Sequence, residues 1–529
     1  MERLLRKHGT KFFVATGVIL AVLRRFIQDD AYISFRYARN LADGLGLVWN
    51  AGEYVEGYTN FLWTLLLAPS FLLRVDVVVW SWTLSIACFA AVLWLLCHWP
   101  GADAITRFSA ASLVVSNYSL SSYATGGLET QLVTVGVVSS AWFLVSRLPI
   151  PTAIAAVAAV MARMDAVLML MPFWLAATLS PQTVGGRTGD GRRTLLAGLT
   201  LTGGPVCAWL LWRHAYYGAW VPNTFLVKGG ASPLRGLIYV ALFMFVYGWL
   251  LPPAVAIATG RGRAIFRDVV SRSPAMSWAV ALHLGYVILI GGDFMEFRMI
   301  APCAPFAALL LAEWMRGRLW LLIILLALGP VGAPLLLPPR PVESISGLER
   351  MAADWSRDAE LLKTILGDEG RGVRIALTPA GAIPFHTGLY AFDELGLNSR
   401  EVALNGERIK PLHRMLGNLP GHSVKARWEQ IRAAGINLVI DHPWIVDAVV
   451  EEVLPLNSDG RVRRETFNAI HPFLHVDVPA GSGARLVAWP AGNSDSGAEK
   501  WWIMVLSEPH EAISRAIKRT GAKVFDFDS

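Results

Sequence analysis

About eleven apolar runs, separated by short polar loops, fill the first 337 residues of the chain. A helix that crosses a bilayer needs about 20 apolar residues, and shorter runs are tolerated inside a bundle. Because 54% of the 529 residues are hydrophobic and only 16% are charged, the chain is too apolar for a soluble globular protein. We therefore predict a mostly α-helical polytopic membrane protein with about eleven transmembrane helices. Their runs lie near residues 11–27, 77–97, 107–118, 128–147, 150–163, 165–179, 194–213, 236–258, 276–291, 299–316 and 319–337.

The run at 61–73 decides on which side of the membrane the loops lie. It is short and contains Pro69, so we place it as a juxtamembrane or re-entrant element. With an uncleaved first helix and a cytoplasmic N-terminus, the arginine loops near 187–193, 261–272 and 316–318 then face the cytoplasm, as the positive-inside rule expects. The same assignment gathers four motif loops on the outer face: DDAYISFRYARN (29–40), SSYATGGLET (121–130), YYGAWVPNTFLVK (216–228) and GGDFMEFR (291–298).

A second domain is predicted after residue 337, where the segment PPRP interrupts the apolar pattern. Residues 338–529 alternate short apolar runs with helix-like segments, which is typical of a soluble α/β or α+β fold. The topology places this domain on the outer, periplasmic side as a cap. Residues 1–337 then form a transmembrane catalytic domain, with 28–75 as its first periplasmic loop.

Charge and cysteine content exclude several kinds of partner. The formal net charge is +7, but the arginines lie in short loops between apolar runs and not on one basic face, so we predict no nucleic-acid partner. All four cysteines lie in or at the ends of apolar segments, without metal-ligand spacing, and we interpret them as packing residues. No glycine-rich phosphate loop is present in the sequence, so nucleotide-driven transport is not supported.

Two adjacent carboxylates, Asp29 and Asp30, stand at the outer end of the first apolar run. Carboxylates beside a bilayer are costly unless they face a polar cavity or a partner, so this pair is the first candidate for function. The alternative is a solvated loop. From 31 to 43, apolar and polar residues recur at helical spacing. We predict an interfacial helix there, with Arg36 pointing toward lipid headgroups or a bound phosphate.

Further charged residues occur in the other outer loops, at Glu129, Lys228, Asp293, Glu296 and Arg298. Each alone is typical of a solvated loop, but all are predicted on the same side of the membrane. Two groups have a structural interpretation. Arg163 and Asp165 are two residues apart at a chain reversal and predict an ion pair or helix-end anchor, and His283 within an apolar run predicts a packing histidine.

A carboxylate pair, several cations and a cavity open to lipid fit one type of reaction. The cations would hold a lipid-linked phosphate that must leave. A carboxylate would either accept the proton of an attacking hydroxyl or stabilise positive charge at an anomeric carbon. These residues therefore favour glycosyl transfer from a polyprenyl-phosphate sugar.

The motifs as a set resemble a known family. The stretch DDAYISFRYARNLADGLGLVWNAGEYVEGYTNFLW (29–63), with the later GGLET, YYGxxxPNTFxxK and GGDxMxxR, is similar to the GT-C membrane glycosyltransferases related to the actinobacterial terminal β-(1→2)-arabinofuranosyltransferase. The resemblance covers motifs over roughly residues 28–305 and, more loosely, 379–398. It implies a bacterial inner-membrane pentosyltransferase of cell-wall biogenesis. Its donor would be decaprenyl-phospho-arabinofuranose, and its acceptor would be the arabinan of arabinogalactan or lipoarabinomannan.

Roles are assigned to residues on the basis of this resemblance and the charge pattern. Asp29 and Asp30 match the acidic motif of the family, and one of them is assigned to catalysis. The residues assigned to the donor phosphate are Arg36, Lys228 and Arg298. The residues assigned to the sugar or the acceptor are Glu129, Asn223, Asp293, Glu56 and Tyr58. No cofactor is expected: two adjacent acids could hold a divalent cation, but no further ligand is identifiable by spacing.

Three other interpretations stay open at the level of sequence. The same reaction could use another polyprenyl-linked sugar, such as mannose. A transporter or flippase for a lipid-linked sugar would also need a polar cavity with cationic groups, although its halves should repeat, and no repeated halves are found in the sequence. A structural scaffold for envelope assembly would tolerate asparagine at both Asp29 and Asp30.

Overall fold

The computed structural model describes residues 2–179, 198–228, 232–338, 341–409, 421–470, 476–493 and 499–528. Up to residue 336, the regular structure is helical. The helices are α1 Glu2–Leu23, α2 Asp29–Ala42, α3 Phe61–Leu72, α4 Val77–Cys97, α5 Ala104–Ser116, α6 Tyr118–Ser122, α7 Thr130–Val145, α8 Pro149–Ala162, α9 Val167–Leu179, α10 Gly204–Tyr217, α11 Asn223–Val227, α12 Pro233–Val246, α13 Leu251–Ala258, α14 Gly260–Arg272, α15 Pro274–Leu289, α16 Ala304–Trp314 and α17 Leu319–Leu336. The predicted arginine loop at 187–193 and the start of the predicted run 194–213 lie outside the described residues.

Each predicted apolar run contains a helix in the part of the chain that the structure describes. Helix α4 has 21 residues and a mean hydropathy of 1.9, which suffices to cross a bilayer by length and composition. The other apolar helical stretches, among them His8–Leu23 of α1 and Trp320–Leu336 of α17, have 10–17 residues. The sequence predicts a single apolar run at 236–258, and this prediction is wrong. These residues belong to two helices, α12 and α13, with a turn between them. Gly248 takes a left-handed backbone there, with φ 69°, and two prolines open α13. The number of helices that cross the membrane stays a prediction.

The interfacial helix predicted at 31–43 is α2, and its surroundings differ from the prediction. Helix α2 is buried on several faces, because α3 packs against one side and the C-terminal domain covers another. Arg36 is 4% exposed and does not point toward lipid headgroups. The prediction was wrong on this point, since helical periodicity shows which residues share a face but not which domain covers that face.

The C-terminal domain begins with α18 Ile345–Leu366 and is built on a mixed six-stranded sheet of order β2-β1-β5-β7-β6-β8. Strands β1, β2 and β5 are parallel, and the other pairs of this sheet are antiparallel. The sheet confirms the predicted C-terminal fold class; its side of the membrane stays a prediction. The strands are β1 Arg374–Leu377, β2 Tyr390–Asp393, β3 Glu407–Arg408, β4 Val424–Lys425, β5 Leu438–Val446, β6 Arg485–Asn493, β7 Glu499–Leu506 and β8 Lys523–Asp526. The remaining helices are α19 Ala382–Thr387, α20 Arg400–Asn405, α21 Trp428–Ala433, α22 Val450–Val453, α23 Arg464–Ile470 and α24 Glu511–Thr520.

The C-terminal domain, called the cap below, shares its core with the first loop. Ile33 and Tyr37 of α2 lie in one buried apolar cluster with Ile375 of β1 and Trp489 of β6. Val227 of α11 enters a second cluster with residues of the opposite sheet face. Burial of apolar side chains from both parts stabilises their contact, so the cap lies directly over the motif loops.

Candidate active site

The four motif loops converge around the carboxylate of Asp30, near the start of α2. Burial raises the pKa of Asp30, while the positive charges of Arg298 and Lys228 lower it. The negative charges of Asp293 and Glu129 also raise the pKa of Asp30. Within the described ranges, no side-chain hydrogen bond of Asp30 is found. Its carboxylate is therefore uncommitted, half-buried and flanked by two cations.

The neighbouring Asp29 is held by the cap. Its two carboxylate oxygens accept hydrogen bonds from the backbone N–H groups of Gly381, at 3.1 Å, and Ala382, at 2.7 Å. Burial raises the pKa of Asp29 to about 7, against the effect of the backbone donor Ala382. The two acids therefore differ: Asp29 ties α2 to the cap, and Asp30 faces the cations.

Arg298 and Asp293 form a buried ion pair within the GGDFMEFR loop. The Nη2 and Nε atoms of Arg298 lie 2.7 and 2.9 Å from Oδ2 of Asp293. The other oxygen of Asp293 accepts the backbone N–H of Phe294 at 2.8 Å. Phe297 takes a left-handed backbone, with φ 43°, directly before Arg298. This loop therefore fixes the Arg298 guanidinium beside Asp30, and Asp293 positions that guanidinium.

Glu129 belongs to a second polar network. One of its oxygens accepts from Asn60 at 2.9 Å, and the other lies 3.2 Å from Nη1 of Arg163. Arg163 also binds Asp165 through two contacts, of 2.9 and 3.1 Å, which confirms the ion pair predicted from their spacing. The link from this pair to Glu129 was not predicted. His283 lies nearby, with Nε2 at 2.7 Å from the backbone oxygen of Met299.

Lys228 and Asn223 stand at opposite ends of the short helix α11 and differ in their contacts. Lys228 is exposed, and its charge acts on Asp30 and Asp293. Asn223 is buried, and its amide donates to the backbone oxygens of Gly396, at 2.5 Å, and Leu397, at 3.2 Å. Asn223 therefore holds α11 against the cap, and Lys228 lies at the site.

Three further residues assigned from sequence have structural contacts away from Asp30. Arg36 donates to the backbone oxygens of Trp49, Pro384 and Leu389 and to the Asn50 side chain, which joins the first loop to the cap. Glu56 is paired with Arg213 of α10. The hydroxyl of Tyr58 lies 3.0 Å from that of Tyr217. Because these groups bind protein partners away from Asp30, and the Asn223 amide group donates to the cap, we no longer assign Arg36, Glu56, Tyr58 or Asn223 to substrate contact. Glu129 keeps its assignment because its charge acts on Asp30.

One buried acid to which the sequence assigns no role is Glu296, in the same motif as Arg298. Its carboxylate accepts from Ser119, at 2.6 Å, and from the backbone N–H of Ile345 at the start of the cap, at 2.9 Å. The GGDFMEFR motif could have suggested a second buried acid, but its partner at residue 345 is a contact between the two domains. Among the described residues, no group of three or more His, Cys, Asp or Glu is arranged to hold a metal ion.

The contact between Asp29 and the cap gives a first testable expectation. A Cβ on Gly381 would stand 2.5 Å from Oδ2 of Asp29 and closer still to its backbone oxygen. Gly381→Ala must therefore push α2 and the cap apart, at a cost of about 1–3 kcal/mol. We expect the activity to fall about 10-fold or more, because small displacements of catalytic groups are costly. Gly285→Ala is the matched control, since no atom stands within 4 Å of a Cβ there. Equal activity in both variants would show that the contact between Asp29 and Gly381 does not affect the reaction.

Comparison with solved structures identifies the class of fold. The crystal structure of ArnT from Cupriavidus metallidurans bound to undecaprenyl phosphate matches with a TM-score of 0.53 and 10% identity, over 94% of this chain and 99% of that chain. The apo form of the same protein matches with a TM-score of 0.53 and 10% identity, over 96% of this chain and 100% of that one. The fold is therefore that of ArnT, the GT-C fold.

Sequence comparison then identifies particular relatives. A terminal β-(1→2)-arabinofuranosyltransferase of Corynebacterium glutamicum is 29% identical over 334 residues, which are 54% of this chain and 47% of the relative. The protein of that name from Mycobacterium tuberculosis is 29% identical over 393 residues, 63% of this chain and 58% of the relative. The chain thus spans about half the length of the curated relatives it matches. No protein-family model matches. The resemblance stated from the motifs is confirmed: the chain is a GT-C relative of these arabinofuranosyltransferases.

Proposed function

We propose that this protein is a glycosyltransferase that moves arabinofuranose from decaprenyl-phospho-arabinofuranose to the arabinan of a cell-envelope glycan, on the periplasmic face of the inner membrane. The observation that carries the proposal is the Asp30 carboxylate, half-buried and uncommitted, between the charges of Arg298 and Lys228. The arabinofuranosyltransferase relatives support the sugar, and the undecaprenyl phosphate bound to ArnT supports the class of donor.

The proposed step is a displacement at the anomeric carbon of the donor. An acceptor hydroxyl oxygen forms the new bond to that carbon while the bond to the phosphate oxygen breaks. The polyprenyl phosphate leaves with the bonding electron pair, and Asp30 takes the proton of the hydroxyl. Burial raises the pKa of Asp30, which makes its carboxylate a better base than an exposed one.

The leaving phosphate is assigned to Lys228 and Arg298. Lys228 is exposed at the site, and its ammonium can rotate toward a phosphate. Arg298 is kept in place by Asp293 through Nε and Nη2. The two cations stabilise the charge that develops on the phosphate as the bond breaks. Arg36, whose guanidinium binds backbone oxygens of the cap, is not included.

The sugar and acceptor are assigned to the space between the motif loops and the cap. Glu129, whose charge acts on Asp30, keeps its orientation through Asn60 and Arg163. The cap, which binds Asp29 through Gly381 and Ala382, covers this region and would guide the acceptor glycan toward it. No metal ion or other cofactor is required by this scheme.

The experiment is sugar transfer by the purified protein in lipid vesicles. Polyprenyl-phospho-arabinofuranose and a short synthetic arabinan are supplied, and the product is examined for mass and for the linkage of the added residue. Polyprenyl-phospho-mannose, in parallel reactions and in competition, is the matched control for the donor sugar. We expect arabinofuranose to be transferred and mannose to compete weakly. Transfer of mannose alone would keep the reaction class and replace the sugar.

A further inference from the structure

Several polar side chains in or directly before the motif loops have buried atoms without a hydrogen-bond partner among the described residues: Gln28, Tyr123, Thr130, Asn223 and Thr224. Two of them, Gln28 and Tyr123, come from segments that pack together beside Asp30. Gln28 directly precedes the acidic pair and caps the start of α2, although its side chain makes no capping bond. It is 1% exposed, and neither Oε1 nor Nε2 has a partner within the described ranges. An unpaired carboxamide at this depth is unusual, because the large majority of buried polar side-chain atoms are satisfied.

Tyr123, in the SSYATGGLET loop, is the second of these residues. It is 1% exposed, and its hydroxyl has no partner in the described part of the chain. Its electrostatic neighbours are Glu296, Arg298 and Asp293, which places the hydroxyl beside the ion pair at the site. None of these three groups is within hydrogen-bonding distance of it.

The two residues come from segments that pack against each other. The ring of Phe26 lies edge to face against that of Tyr123, with centroids 5.6 Å apart. The backbone N–H of Phe26 donates to Thr125 at 3.3 Å. Gly127 approaches Ile27 so closely that a Cβ there would stand 2.4 Å from the Ile27 side chain. Residues 26–28 and 123–127 therefore form one wall beside Asp30.

The unpaired atoms at this wall differ from others in the molecule. Indole nitrogens without partners, such as those of Trp49 and Trp314, belong to large rings whose burial is itself favourable. Gln28 instead directly precedes the acidic pair in the chain, and the Tyr123 hydroxyl lies beside Glu296, Arg298 and Asp293. A buried polar end without a partner loses its hydration and gains nothing in return, unless a ligand supplies the missing bond.

We propose that Gln28 and Tyr123 recognise the hydroxyl groups of the donor sugar and thereby select which sugar is transferred. This inference rests on the proposed function and adds a specificity role for residues outside the charged cluster. A carboxamide offers both a donor and an acceptor, and a phenol hydroxyl does the same, so the pair suits a neutral polyhydroxylated ring. The charged phosphate stays with Lys228 and Arg298.

The first test replaces each polar end by an apolar group of similar size, in Tyr123→Phe and Gln28→Met. Because the atoms removed have no protein partner, the thermal unfolding midpoint should stay the same or rise. For the donor, kcat/KM should fall about 10- to 100-fold, since a site that binds substrate hydroxyls suffers when such a bond is lost. Ser85→Ala is the matched control, because it removes a buried hydroxyl without a partner among the described residues from helix α4, which is not part of the motif loops.

The second test pairs these variants with donors that each lack one hydroxyl of the sugar. If Tyr123 binds a given hydroxyl, the wild type loses activity on the deoxy donor and Tyr123→Phe loses no more, so the two changes are not additive. Additive losses for every hydroxyl, or unchanged kcat/KM in both variants, would overturn the inference while leaving the proposed function intact. Donor binding can be compared without turnover. The thermal unfolding midpoint of each variant is measured with the sugar-lipid and with polyprenyl phosphate alone, and the difference between the two midpoints reports binding of the sugar. Absence of transfer by the wild type would instead contradict the proposed function.

Discussion

Asp30→Asn should lower kcat for sugar transfer about 1,000-fold, which is the scale that a positioned acid or base contributes. Asparagine keeps the size of the side chain but removes its negative charge and its capacity to take a proton. The protein should stay folded, because Asp30 makes no side-chain hydrogen bond within the described part of the chain and Arg298 keeps its own partner, Asp293. The measurements are kcat, KM and the midpoint of thermal unfolding in the same lipid vesicles.

Asp29→Asn is the matched control, since it makes the same chemical change one residue away. Its remaining side-chain oxygen can still accept a hydrogen bond from Gly381 or Ala382, so part of the cap contact survives. We expect about a 10-fold loss of activity there, with the acceptor KM changing together with kcat. If Asp30→Asn keeps full activity and Asp29→Asn loses it, then Asp29 is the catalytic carboxylate and Asp30 is not.

Arg298→Met should have the largest effect on stability. The substitution leaves Asp293 buried without its cation, and breaking a buried pair by removing one partner costs about 3–5 kcal/mol. It should also weaken donor binding, since one of the two cations assigned to the phosphate is lost. The midpoint of thermal unfolding and the donor KM measure the two effects separately.

A double variant separates the structural role of Arg298 from its role toward the donor. Arg298→Met with Asp293→Asn removes both charges, and buried pairs replaced in full are often close to neutral in stability. We expect the unfolding midpoint to recover in the double variant while transfer stays low. Recovery of transfer together with stability would show that Arg298 only supports the fold and does not hold the donor.

Helix positions in the first 337 residues could be predicted because long apolar runs leave little choice of structure in a bilayer. The exception was the region at 236–258, where Gly248 and two following prolines interrupt a run that is apolar throughout. Average hydropathy cannot detect such a break, whereas the backbone preferences of glycine and proline could have suggested it.

The candidate site could be predicted in part. Asp30, Lys228, Arg298, Asp293 and Glu129 belong to motif loops that the topology placed on one face, and the structure brings their charges together. The other four assigned residues bind elsewhere. Arg36 and Asn223 donate hydrogen bonds to the cap, and Glu56 and Tyr58 bind residues of α10. Those partners stand more than 150 residues away in the chain, as in the contact of Asn223 with Gly396, so no local pattern could reveal them.

The most direct test of the central claim is a count of polyprenyl phosphate released against glycosidic bonds formed, by the purified protein in vesicles. The proposed displacement predicts one molecule of polyprenyl phosphate for each arabinofuranose transferred by the wild type, and formation of both products about 1,000-fold more slowly by Asp30→Asn. Movement of intact sugar-lipid across the vesicle membrane, with no polyprenyl phosphate released, would contradict the account and identify a transporter.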